Sequence, residues 1–317
     1  MSVSWIVPAL VAVFGWGVSD LFFKLSSRAD DDDSHYKIAV WFGAWMTAVV
    51  PFALPHCETP GGFVGVFAAH PWIFATAVVY ALSLLVTNIG LRHLDLSVQS
   101  PLENASAAVP PVVFVVWFLL KGRIGSIGEA VTVPDVVGCV LIIGGIAALA
   151  FAERRGGPVA PPNGTNRLGA LALLFPLLLT CGDGLETVVC GISQDETGGG
   201  VGEADLFLLN SVAFALVGIG SWIRLLVKNR RPYNPFARGE WWKCGAGAFE
   251  IVAYIGYIFA LGIDPTFVAP VTSSYCLVTI VLSRIFLRER PGLYRYLCLS
   301  FVLAGIAVLT ASEALKP

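Results

Sequence analysis

Charged residues are scarce in this chain. Only 13% of its 317 residues are Asp, Glu, Lys or Arg, whereas 56% are hydrophobic and the mean hydropathy is +0.76. Soluble domains carry about 25% charged residues, so this chain cannot cover its surface with polar groups. The shortage of charge excludes an ordinary soluble protein and predicts a polytopic membrane protein.

The sequence also lacks the signatures of common metal, nucleotide and hydrolase sites. Its four histidines lie in or near polar segments without a His-x-x-x-His pattern, and its seven cysteines form no Cys-x-x-Cys. It contains no Walker sequence and no Gly-x-Ser-x-Gly. We therefore predict no cofactor, no metal site and no enzymatic activity. A net charge of −2 without a basic tail predicts no nucleic-acid partner.

Long apolar runs take up most of the chain. A spanning helix needs about 20 largely apolar residues. Ten such runs occur, at approximately 5–26, 37–55, 71–91, 97–120, 134–152, 168–191, 204–227, 241–262, 267–287 and 293–312. Their length and the lack of period-two alternation favour helices over strands. The sequence thus predicts an all-α integral membrane protein with ten transmembrane helices.

A segment between the fifth and sixth runs divides the chain. Residues 153–167 are rich in Pro, Gly and charge, which is typical of a linker. We therefore predict a first domain over 1–152 and a second over 168–317, each with five spans.

The two predicted domains share short motifs. Gly15-x-Gly17 in the first span matches Gly182-x-Gly184 in the sixth, and Gly145-Ile146-Ala147 matches Gly305-Ile306-Ala307. Because each half has an odd number of spans, the second copy must cross the membrane in the opposite direction. Two inverted five-helix repeats are typical of secondary transporters with a site between the halves.

The basic residues are distributed unevenly between the predicted loops. Fifteen Lys and Arg residues follow odd-numbered spans, against three on the opposite side. The positive-inside rule then predicts that both termini are outside the cell.

The ninth and tenth predicted spans carry a family pattern. It comprises Val268 to Tyr275 (Val-Ala-Pro-Val-Thr-Ser-Ser-Tyr), then Leu287-Arg288-Glu289-Arg290, then Gly305-Ile306. This stretch resembles the closing hairpin of an EamA-type domain, from the drug/metabolite transporter superfamily. The first span, with Trp16-Gly17 and Lys24, also resembles the opening helix of that family.

The resemblance implies ten spans in two halves and the transport of amino acids, metabolites, drugs or sugars. It also implies cytoplasmic termini, against the loop charges. The chain departs from the family pattern at Leu120-Lys121-Gly122-Arg123, where a Glu-containing hairpin would stand. A second departure is Cys276, at a position where the family commonly has Pro.

Charged side chains inside the apolar runs are candidate functional residues, because a charge at bilayer depth costs about 2.5–3.5 kcal/mol. In the first span, Trp16, Asp20 and Lys24 share one helix face, and Asp20 and Lys24 are spaced to form an ion pair. The alternative is that Lys24 extends to the lipid headgroups and Asp20 merely neutralises it.

Two acidic residues of the sixth span are the candidates for ion coupling. Asp183 and Glu186 are three residues apart and share a helix face. Two close carboxylates at low dielectric can hold a proton near neutrality. If the span ended earlier than expected, both would be loop residues.

Polar residues in five spans form the predicted substrate site. Glu250 lies near the middle of the eighth span, where it could instead be a protonated structural residue. The predicted substrate-binding residues are Trp16, Asp20, Lys24, Ser83, Thr87, Asn88, Glu103, Asn104, Glu250, Tyr254, Tyr257, Ser274 and Tyr275. This mixture of carboxylates, one lysine, amides and hydroxyls favours a zwitterionic or hydroxyl-rich solute over an apolar cation.

These features predict a secondary transporter of the cell membrane. It would move a small polar metabolite, such as an amino acid or sugar-like solute, by alternating access, with proton coupling or solute exchange. Spans 1, 3, 4, 6, 8 and 9 would line its cavity. It would contact membrane lipid and act as a monomer or homodimer. The alternatives are a channel or structural membrane subunit and, more remotely, an intramembrane enzyme.

Overall fold

The protein is described here by a computed structural model. It covers residues 6–27, 31–108, 169–194, 199–237, 239–263, 274–289 and 292–315, with Thr272 and several short stretches between 113 and 148. Every regular element in these residues is helical, as the length of the apolar runs predicts.

The helices with described bounds are numbered here in chain order. They are α1 (Ile6–Ser26), α2 (Ser34–Ala53), α3 (Gly62–Ala69), α4 (Pro71–Gly90), α5 (Leu96–Glu103), α6 (Leu174–Gln194), α7 (Glu203–Asn229), α8 (Trp241–Ile263), α9 (Tyr275–Leu282) and α10 (Leu293–Leu315). Short 3-10 helices cover Leu54–His56, Asn104–Ala108 and Gly169–Leu173, and a π-helical turn extends α9 over Ser283–Leu287.

Six helices in the described part of the chain are long and apolar enough to cross a membrane. They cover Ile6–Ser26, Ser34–His56, Pro71–Gly90, Leu171–Gln194, Glu203–Asn229 and Trp241–Ala260. These are the first, second, third, sixth, seventh and eighth predicted spans. Shorter apolar helices, Tyr275–Leu287 and Tyr296–Gly305, occupy the ninth and tenth. The chain is therefore an all-helical, multi-pass membrane protein.

The fourth predicted span begins as α5, which contains Pro101 and passes into the 3-10 helix Asn104–Ala108. A proline inside a helix removes a backbone donor, which favours such a break. The rest of this span, the fifth span and the linker at 153–167 lie wholly or mostly outside the described residues.

Helices from the early part of the chain pack against helices from the late part. Helix α1 lies along α8 and also contacts α9, α4 lies along α6, and α2 lies along α7. Small residues allow these close approaches, as in many membrane proteins. A Cβ at Gly15 would stand 2.8 Å from the Cβ of Ala253, and one at Gly43 would stand 2.8 Å from the Phe214 carbonyl oxygen.

Apolar side chains cover the outside of the bundle. Phe14 on α1, Trp72 on α4 and Phe259 on α8 are all more than half exposed, although each belongs to a membrane-length helix. Buried polar groups, among them Glu103, Glu186 and Glu250, face inward. This inside-polar arrangement suits a molecule whose surroundings are lipid.

Ion pairs join three loops at one end of the bundle. Lys37 binds Asp31 at 2.7 Å, Arg92 binds Asp32 at 3.1 Å, and Lys228 binds Asp33 at 2.7 Å. These contacts tie the segments that follow α1, α4 and α7. All three segments follow odd-numbered predicted spans, so the acidic run neutralises part of the basic charge on that side.

Candidate functional site

A cavity of about 90 Å³ lies between the inward faces of six helices. They are α1, α4, α5 with its 3-10 extension, α6, α8 and α9, which correspond to the six spans predicted to line a site. Twelve of the fifteen predicted site residues line it: Trp16, Asp20, Thr87, Asn88, Glu103, Asn104, Asp183, Glu186, Glu250, Tyr254, Tyr257 and Tyr275. The other three, Lys24, Ser83 and Ser274, lie outside its lining.

Glu250 is held between α1 and α8. Its Oε1 accepts a hydrogen bond from the Trp16 indole Nε1 at 3.0 Å, and its Oε2 lies 2.8 Å from the Ser19 hydroxyl. Only 5% of Glu250 is exposed. The role of Ser19 escaped the sequence analysis because this residue lies beside the Trp16–Asp20 stripe; its only signal was a hydroxyl inside an apolar helix.

Asp20 and Lys24 do not form the ion pair predicted from their spacing. Asp20 Oδ2 accepts hydrogen bonds from the Ser100 hydroxyl at 2.7 Å and the Thr279 hydroxyl at 2.9 Å. Lys24 Nζ donates instead to the carbonyl oxygens of Leu91 and Leu94, at 2.6 and 2.5 Å. The prediction was wrong because one helical turn carries Lys24 beyond the cavity to the C-terminus of α4, where free carbonyls attract a cation.

Glu103 is held by donors from α4 and from its own helix. Its Oε1 accepts from the Thr87 hydroxyl at 2.7 Å and from Gln99 Nε2 at 2.8 Å. Asn88 and Asn104 each donate to a carbonyl four residues earlier, at 2.8 and 2.9 Å. Both residues are buried and line the cavity.

The two acidic residues of α6 also face the cavity. Asp183 Oδ2 accepts from the Ser106 hydroxyl at 2.5 Å, and Glu186 Oε1 accepts from the Cys190 thiol at 3.0 Å. Both lie well inside α6, so the alternative that they are loop residues is excluded.

Besides Lys24, the predicted site residues outside the lining are Ser83 and Ser274. Ser83 packs against Gly182 of α6 and donates to the Tyr80 carbonyl oxygen at 2.7 Å. Ser274 precedes the first turn of α9 as its N-cap residue. Neither presents its hydroxyl to the cavity.

Aromatic rings form one side of the cavity. The Trp16 ring lies between those of Tyr257 and Tyr275, with centroid distances of 5.3 and 5.6 Å. Tyr254 is 4% exposed, and its hydroxyl has no hydrogen-bond partner among the described residues. A buried hydroxyl without a partner costs free energy, so this group is available to a ligand or to water.

Comparisons with known proteins address the fold and the family. No curated protein matches the sequence. One solved crystal structure aligns with 97% of this chain over 96% of its own length, with 14% sequence identity and a TM-score of 0.56. At this identity the likeness shows a shared fold alone.

The family comparison agrees with the pattern noted in the ninth and tenth spans. Residues 198–311 match the EamA-like transporter family. This range includes α7, α8, α9 and most of α10, which together carry Glu250 and three of the cavity tyrosines. The resemblance to the EamA-like transporter family of the drug/metabolite transporter superfamily is therefore confirmed over residues 198–311.

Proposed function

We propose that this protein is a secondary transporter of the cell membrane that moves a small polar solute through the central cavity by alternating access. The observation that carries the proposal is the cavity itself. Five carboxylates, from Asp20, Glu103, Asp183, Glu186 and Glu250, meet inside a bundle whose outer surface is apolar. Ionisable groups at membrane depth are expensive, and they typically mark solute or ion pathways.

We further propose that the chain is built from two inverted five-helix repeats. The helix pairings support this. The first helix of the first half, α1, lies along α8, which is the third span of the second half, and the first helix of the second half, α6, lies along α4, which is the third span of the first half. The close contacts repeat as well: Gly15 meets Ala253, and Gly182 meets Ser83. Ser83 and Ala253 both lie 12 residues after the start of their helix. Two equivalent packings of this kind are the usual basis of alternating access.

The hydrogen bonds of Ser19 support coupling to protons. Its single hydroxyl hydrogen lies between two acceptors, the Ala246 carbonyl oxygen at 2.9 Å and Glu250 Oε2 at 2.8 Å. If Glu250 carries a proton and donates it to Ser19, each contact has its own hydrogen atom; if Glu250 is ionised, the two acceptors must share the single hydrogen of Ser19. We therefore add Glu250 to Asp183 and Glu186 as a candidate proton carrier.

The test is flux in proteoliposomes that contain a pH-sensitive dye. A panel of labelled amino acids, sugars and amines is supplied with and without an imposed pH gradient. A transported solute should accumulate only with the gradient and should move protons in a fixed ratio. A conductance that needs no gradient and does not saturate would instead identify a channel.

Acid-to-amide variants assign the coupling residues. Glu250→Gln and Asp183→Asn should lose gradient-driven accumulation while retaining exchange of solute across the membrane. Asp32→Asn is the matched control, because the Asp32 side chain is 88% exposed and lies at the end of the bundle. Unchanged proton-driven flux in Glu250→Gln would remove Glu250 from the coupling mechanism.

A further inference from the structure

The carboxylates of the cavity have only neutral partners. Asp20 is bound by two hydroxyls, Glu103 by a hydroxyl and an amide, Asp183 by a hydroxyl and Glu186 by a thiol. Glu250 is bound by an indole and a hydroxyl. None of the ion pairs in the described part of the chain involves any of these five groups.

The one basic residue predicted to belong to the site is turned away from it. The Lys24 ammonium is bound by the Leu91 and Leu94 carbonyl oxygens, and Glu289 and Asp95 are the acidic groups that stabilise its charge. Among the residues that the structure describes, no Lys, Arg or His lines the cavity. A solute carboxylate would therefore meet five acidic side chains without a cation to bind it.

The carboxylates share the cavity with aromatic side chains. Asp20, Glu103, Asp183 and Glu250 come from four different helices and line the cavity together with Tyr275. Tyr275 in turn packs against Trp16. The faces of Trp and Tyr rings attract cations, most strongly where water is excluded.

We propose that the solute taken by this cavity is a small monovalent organic cation, an amine or ammonium compound held by the carboxylates of the cavity and by the Trp16 ring. The inference rests on the proposed transport function and names its substrate class. A cation can take the place of a proton beside these buried carboxylates, because no Lys, Arg or His among the described residues of the lining supplies positive charge. The free Tyr254 hydroxyl gives the site an additional polar contact.

An organic cation fits these residues better than a metal ion does. In the described residues, no group of three or more His, Cys, Asp or Glu side chains is arranged to hold a metal ion. Asp20, Glu103, Asp183 and Glu250 already accept hydrogen bonds from hydroxyl, amide or indole donors, which leaves fewer lone pairs for direct coordination of a metal ion. Aromatic rings, by contrast, recognise alkylammonium groups directly.

The test uses three probes of similar size and different charge: tetramethylammonium chloride, tert-butanol and sodium pivalate. Thermal unfolding of the purified full chain is followed in detergent, with sodium chloride keeping the ionic strength constant. A ligand at about 100 times its Kd should raise the melting temperature by about 5 °C. We expect a saturable rise with tetramethylammonium and none with the neutral or anionic probe. Methylammonium chloride serves as a second cation for a site that prefers a primary amine.

Variants separate the cation site from general stability. Trp16→Phe retains a ring but loses the hydrogen bond to Glu250, and it should weaken tetramethylammonium binding about tenfold. Asp32→Asn should bind it as the wild type does. A rise with pivalate instead of the cations, or no rise with either cation, would overturn the proposal, and both results come from the wild-type protein.

The two proposals fail in different ways. Cation binding in detergent without any flux in proteoliposomes would retain the cation site and refute the transport function. Proton-driven flux of a neutral or anionic solute, together with absent cation binding, would retain the transporter and refute the substrate class.

Discussion

Glu289 should be one of the most sensitive single positions for stability in this protein. It is 4% exposed, and its two carboxylate oxygens accept hydrogen bonds from the backbone N–H groups of Leu96 and Ser97, each at 2.9 Å. These are unpaired donors of the first turn of α5. On the other side of the same turn, Lys24 binds the carbonyl oxygens of Leu91 and Leu94. Glu289 and Lys24 thus clamp the α4–α5 turn from two sides.

The expected loss of stability in Glu289→Gln follows from these contacts. The amide retains one acceptor, so one N–H of α5 loses its partner and faces a donor instead. A hydrogen bond to a charged group contributes about 1.5–3 kcal/mol, and a charge at a helix N-terminus contributes up to about 2 kcal/mol. Lys24 also loses one of the two carboxylates that stabilise its charge. We expect a loss of about 3–5 kcal/mol, the usual result of breaking a buried charged network by removing one member.

The assay is chemical and thermal unfolding in detergent, with Asp32→Asn as the matched acid-to-amide control. The control should change the free energy of unfolding by less than about 1 kcal/mol, because exposed ion pairs contribute little. Glu289→Asp should fall between the two, since it keeps the charge on a shorter side chain. If Glu289→Gln and Asp32→Asn proved equally mild, the clamp would have no energetic importance.

Three further predictions concern packing and loop residues. Gly15→Ala should destabilise the protein by about 1–3 kcal/mol, and adding Ala253→Gly should restore most of the loss, because the two Cβ positions lie 2.8 Å apart. Burial and a hydrogen bond to Glu240 raise the pKa of Tyr233. The folded protein therefore keeps a proton that the unfolded chain releases above about pH 10, and stability should fall there more steeply in the wild type than in Tyr233→Phe. Burial raises the pKa of the Cys57 thiol to about 12. Its alkylation rate in a single-cysteine variant should therefore rise about tenfold per pH unit between about pH 8 and 10 without a plateau.

Several elements of the fold and site were predictable from the sequence for simple physical reasons. A helix that carries Asp183 and Glu186 in an otherwise apolar run must direct them away from lipid, and the cavity is where they lie. Glu250 and Tyr257 of α8 line the same cavity. Helical spacing also put Trp16 and Asp20 on one inward face of α1.

Other features depended on which helix lies opposite. Lys24 has the right spacing to bind Asp20, yet the α4–α5 turn offers it two carbonyl oxygens and Ser100 and Thr279 occupy Asp20. Ser19 gained its importance from Ala246 and Glu250 of α8, more than 220 residues later in the chain. No local pattern indicates such partners.

By itself, the sequence determined the class of protein: a chain with 13% charged residues and long apolar runs must lie in a membrane as helices. It also determined that its few internal carboxylates face the interior of the bundle, because lipid excludes them. Only the tertiary structure decided which charged side chains line the cavity. The rotation and depth of α1 against α4 and α8 turned Lys24 out of the cavity and left the carboxylates without it, and helix rotation and depth are set by packing between distant segments.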